Sequence, residues 1–99
     1  MLDQSLSRTI IEIDRKKIRL RYLMDLIHNR ALNKDITLSE VMHMATSPHS
    51  DKPTNEDITL ATISLKELLA RNLIQVDFIA KKYENGLRID VRIIGLEKP

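Results

Sequence analysis

The sequence predicts an α+β protein: a long N-terminal helix, two further helices and a C-terminal two-stranded β-hairpin, in one domain of residues 1–99. Three observations lead there. Residues 4–32 contain no glycine or proline and repeat apolar side chains at helical spacing. Thr37 and Thr54 each precede an acidic residue three positions on, Glu40 and Asp57, the signature of a capped helix start. The last third alternates apolar and polar residues on both sides of Asn85-Gly86.

The domain divides into 1–33, the first helix and a candidate dimerisation element, and 35–94, a helix-loop-helix with the hairpin wing. Leu6, Ile10, Ile13, Leu20, Leu23, Met24, Ile27 and Ala31 fall on one stripe of the first helix. Lys17 interrupts it with a stem long enough to snorkel. Ile11, Ile18, Tyr22 and Leu26 form a second stripe on the far side. Two stripes require two partners, the core and, most simply, a second copy of the chain. "IIEID" and "IRLRY" also admit a hairpin, because Ile18, Leu20 and Tyr22 alternate. The Glu12–Lys16 spacing favours the helix.

The second helix lies in "DITLSEVMHMA", with Leu38, Val41, Met42 and Ala45 as its apolar face. "TSPHSDKPTN" then breaks the chain with two prolines and several turn formers. The third helix is expected over 54–71, with Ile58, Ala61, Leu65, Leu68 and Leu69 toward the core. Glu56 and Asp57 suit the positive end of its dipole. Asn72 tolerates the left-handed conformation that ends a helix. In the hairpin, Asn85-Gly86 suits a type I′ turn. That turn pairs Glu84 with Leu87, Lys81 with Asp90, Ala80 with Val91 and Phe78 with Ile93.

Composition narrows the function. Hydrophobic residues are 42% and charged residues 30%, as in an ordinary globular protein. Cysteine is absent, which excludes disulfides and thiolate metal sites and fits a reducing compartment. "MLDQSLSRTI" has no apolar run after a basic start, and no segment approaches the roughly 20 apolar residues of a membrane span. The expectation is a cytoplasmic protein that contacts no membrane. Net charge is +2, unevenly placed. Residues 8–34 hold eight Lys/Arg against three Asp/Glu, residues 35–65 one against five, and residues 66–99 seven against five.

Little of the composition suggests catalysis. Glu40, His43, His49 and Asp51 are a weak metal signal without a His-x-x-x-His pair. His28 suits the negative end of the first helix. With glycines only at 86 and 95 there is no phosphate-cradling loop, and three aromatics make no base-stacking platform. A non-enzyme without metal or cofactor is expected.

The string "LKELLARNLIQV" resembles the end of the recognition helix and the start of the wing in winged helix-turn-helix regulators, through Leu65, Leu68, Asn72, Leu73 and Ile74. The resemblance covers 35–94. It implies that helix 54–71 lies in a DNA major groove, with the hairpin tip at 84–86 on the backbone or minor groove. Groove-facing positions would be Thr59, Leu60, Thr62, Ile63 and Lys66. Two basic clusters could add phosphate contacts: "RKKIRLR", with Arg15, Lys16, Lys17, Arg19 and Arg21, and the wing, with Lys81, Lys82 and Arg88.

The expected function is therefore a small homodimeric winged-helix protein that binds duplex DNA, as a transcriptional regulator or an accessory factor of replication or segregation. The alternative is a winged-helix module that binds protein within a larger complex, through Leu60 and Ile63. Three features point to it. About ten residues separate the second and third helices, where a tight motif uses three or four. Glu56 and Asp57 would repel phosphates, and the groove face carries a single cation.

Overall fold

The computed structural model describes residues 4–98, with side chains from residue 15 onward. Its order is α1 (Gln4–Asn33), β1 (Ile36–Thr37), α2 (Leu38–Ala45), α3 (Asn55–Ala70), β2 (Ile74–Tyr83) and β3 (Gly86–Gly95). The fold is α+β. Helix α1 is unbroken over 30 residues, about 45 Å at 1.5 Å per residue. The hairpin alternative for its first half is thereby excluded.

The expectation of a two-stranded sheet is corrected. Three antiparallel strands lie in the order β1-β3-β2. Strand β1 pairs Ile36 with Ile93 and Thr37 with Arg92. Two residues are too few to carry a period of alternation, so the sequence pattern could not reveal them. Thr37 then also caps α2, accepting from the Glu40 backbone N–H at 3.2 Å. Strand and helix thus share one threonine.

Helix α3 is closed at both ends. Thr54 Oγ1 accepts from the Asp57 N–H at 3.1 Å and the Asp57 carboxylate accepts from the Thr54 N–H at 3.0 Å, a complete capping box. At the far end Asn72 takes φ of 58°. Its N–H donates to Leu69 O at 3.1 Å, and the Leu73 N–H donates to Leu68 O at 2.9 Å, the bond pattern of a Schellman stop.

The hairpin register also differs from expectation. Tyr83 pairs with Gly86, Lys81 with Arg88, Phe78 with Val91 and Val76 with Ile93. The turn residues are Glu84 and Asn85, and only Gly86 carries a positive φ, 128°. A type I′ turn needs positive φ at two residues. Here the strain falls on the one residue without a Cβ. The shift from Lys81–Asp90 to Lys81–Arg88 is two residues, so it preserves which side chains share a face.

The core joins every element. Leu23, Met24, Ile27 and Ala31 of α1 pack with Ile36, Val41, Ala45, Ala61, Leu68, Ile74 and Ile93. Several expected core residues are corrected. Leu38, Ile58 and Leu69 are exposed, and Leu65 and Met42 only half-buried. Ser64 and Asp57 take buried places on α3 instead. His28 is buried too. Its Nε2 donates to the Leu96 carbonyl at 2.7 Å and so ties α1 to the segment after β3.

Candidate functional site

One guanidinium organises the three helices. Arg19 of α1 donates to the Ala45 carbonyl at the end of α2, at 2.8 Å, and to the Asp57 carboxylate at the start of α3, at 2.7 Å. Asp57 is only 2% exposed. The Thr54 backbone N–H and then Arg19 hold its carboxyl below the ordinary 3.8, against the opposing effect of burial. Two sequence-based expectations change here. Arg19, grouped with the phosphate-binding cations, is committed to an internal pair. Asp57, expected to repel phosphate at a groove, is withdrawn from the surface. The partners are 38 residues apart, so no local spacing announces them.

Beside this pair, α1 and α3 leave an open cleft of about 300 Å³. Leu20, Leu60 and Ile63 form its apolar floor. Leu20 and Leu60 also pack on the core, so the floor continues into the interior. Thr59, Lys16, Lys17 and Glu56 stand at its rim. Lys16 Nζ lies 3.9 Å from the Glu56 carboxylate, with both side chains well exposed, so that pair contributes little.

Of the expected DNA-contacting residues, Lys16, Arg19, Thr59 and Ile63 line this cleft and the others lie outside it. Thr59 and Thr62 are exposed, but their hydroxyls donate back to the carbonyls of Asn55 and Ile58, at 2.9 and 2.8 Å. Ile63 is 45% exposed, and Lys66 and Arg15 are exposed. On the hairpin, Asp90 holds both Lys81, at 3.3 Å, and Arg88, at 3.2 Å. Its carboxyl is lowered from 3.8, first by Lys81 and then by Arg88. Arg88 also lies over the Tyr83 ring, 5.3 Å from its centroid. Lys82 projects from the opposite face, since strand side chains alternate. The three wing cations therefore form no single basic face.

Of the expected dimer stripe, Ile18 and Tyr22 are 69% and 67% exposed and Leu26 is half-buried. The Ile11 side chain lies outside the described residues. Among the described residues no group of three His, Asp or Glu could hold a metal, and no helix is long and apolar enough to cross a membrane.

No family model, no curated protein and no solved structure matches the chain.

Proposed function

We propose that the chain is a non-catalytic winged-helix module that binds a protein partner in the cleft between α1 and α3. The hairpin that follows the third helix directly supports the winged-helix reading. The observation that carries the functional reading is the meeting of Leu20, Leu60 and Ile63 in an open, apolar-floored cleft. Its occupant is one apolar face of an amphipathic segment, flanked by carboxylates that reach Lys16 and Lys17. The pairing of Arg19 with the buried Asp57 also favours this reading, because DNA affinity rests on cations available to phosphate.

Peptides selected from a display library against the intact chain test it. The selected consensus should carry apolar residues at i and i+3 or i+4 with flanking Asp or Glu. Ile63→Asp, at an exposed position, should keep the circular dichroism and melting of the wild type and lose the peptide. Undiminished binding to the variant would remove the cleft from the proposal.

Duplex DNA is the second reading, favoured by the exposure of Arg15, Lys17 and Arg21 along one stretch of α1 and of Lys66 on α3. It is the reading in which the protein acts as a homodimeric regulator or an accessory factor of replication or segregation. Thr62, Ile63 and Lys66 would then face the groove.

A further inference from the structure

Strand β3 is the middle strand, but β1 covers it only at Arg92 and Ile93. Among the described residues, no strand pairs with residues 87–91 on that side. The edge is accessible: a cleft of about 450 Å³ runs along it, bounded by Thr37, Leu38, Ile89 and Val91. Next to it the sheet face that packs on the core through Ile74 and Ile93 runs on past the core and stays apolar in solvent. Phe78, Leu87 and Ile89 are 73%, 79% and 67% exposed and lie on one face. An open edge beside such a face is a template for another strand.

The residues of the edge indicate which strand. Leu87-Arg88-Ile89-Asp90-Val91 is self-complementary when set antiparallel to itself about Ile89. Leu87 then opposes Val91, Arg88 opposes Asp90, and Ile89 opposes Ile89. Apolar residues meet on one face and opposite charges meet twice on the other. Neighbouring registers lose this agreement. Centring on Arg88 or on Asp90 opposes like charges, and an odd shift sets apolar residues against charged ones. The pairing also ends where the open edge ends. The next partner residue, Gly86, would oppose Arg92, which Thr37 already pairs, so the ladder is confined to Leu87–Val91.

We infer that the open edge of β3 at residues 87–91 pairs with the same edge of a second copy of this chain, antiparallel and centred on Ile89. The result is a closed two-fold interface with a continuous ribbon of four strands, β2-β3 of one copy and β3-β2 of the other. This inference is independent of the α1–α3 cleft and of the α1 stripe.

Sedimentation equilibrium on the full chain, with charge swaps, tests it. The wild type should be a dimer at concentrations of about 100 µM. Arg88→Asp and Asp90→Arg each set like charges opposite one another twice and should weaken the dimer ~10-fold. The double swap restores both opposite-charge pairs and should recover it. Because the chain lacks cysteine, cross-linking gives a second readout that survives poor folding of a swap variant. Ile89→Cys places two thiols opposite each other at about 5 Å between Cα atoms, within disulfide range. Leu87→Cys places them about 14 Å apart, four residues along the ribbon. The first should oxidise to a covalent dimer and the second should not. A monomer at that concentration, an open series of larger species, a double swap that fails to recover, or equal cross-linking of the two variants would overturn the inference. So would a dimer lost with Ile18→Glu and indifferent to the swaps, which would place the interface on α1.

Discussion

Asp57 sits where a helix cap, an ion pair and the core coincide. The carboxylate satisfies the Thr54 N–H and neutralises Arg19, and Arg19 in turn holds the α2 carbonyl of Ala45. Asp57→Asn keeps the shape and removes the charge, leaving Arg19 without its counter-ion. Arg19 keeps 40% of its side chain in solvent, so a destabilisation of about 1–3 kcal/mol is expected, below that of a fully buried pair. The pH dependence has a definite sign. A carboxyl held below its unfolded value of 3.8 contributes stability that is present above that value and lost as pH falls through the folded one. The difference in melting temperature between wild type and Asp57→Asn should therefore be full near pH 6 and shrink toward pH 3. A difference constant across that range would mean that the charge of Asp57 contributes nothing. The cap was legible in the sequence, because Thr54 and Asp57 are three apart. Its partner was not, because nothing local relates residue 19 to residue 57. Ser64 was equally hidden. It is fully buried, and among the described residues its hydroxyl has no hydrogen-bond partner.

At the level of elements, the patterns with a strong period read correctly and the short or shared ones did not. Leu23, Met24, Ile27 and Ala31 mark α1, and the alternation from Ile74 and to Ile93 marks the two long strands. Strand β1 is too brief to show a period. Asn85-Gly86 pointed to the turn but missed its place by one residue and its type: Glu84 and Asn85 make the turn, the register moves by two, and the glycine takes the positive φ alone. The role of Gly95 was invisible in sequence. A Cβ there would overlap the backbone of Ala31 and Leu32, so glycine allows β3 to lie directly on α1. Gly95→Ala must push strand and helix apart, at about 1–3 kcal/mol. For a chain of this size that lowers the melting temperature by about 4–8 °C per kcal/mol. Gly86→Ala meets no neighbour within 4 Å but must hold φ near 128°. A Gly95→Ala variant that melts with the wild type would show that α1 and β3 are not in such close contact.

Across the whole molecule, extension and charge pairing set what it can bind. The radius of gyration is 16.6 Å, against about 13 Å for a compact chain of 100 residues. The long α1 and the projecting hairpin leave much surface beyond the core. Counting charges along the sequence located the basic first third. It could not show that Arg19 turns inward or that Asp90 occupies two of the wing cations. Nor could it show the cleft, which exists only once α1 is laid against α3. Binding to a random duplex separates the two functional readings. If the cleft is the site, DNA binding should be weak, with a shallow dependence of log K on log salt. A steep slope that flattens with Lys66→Ala and Lys82→Ala would instead favour the duplex reading.

The most direct test of the cleft is a titration of the selected peptide into the isotopically labelled chain, followed by amide chemical shifts. Shifts should concentrate at Lys16, Leu20, Leu60 and Ile63, and be absent from the Ile63→Asp variant. Shifts that centre on the hairpin or around Ile18 and Tyr22, and persist in that variant, would contradict it.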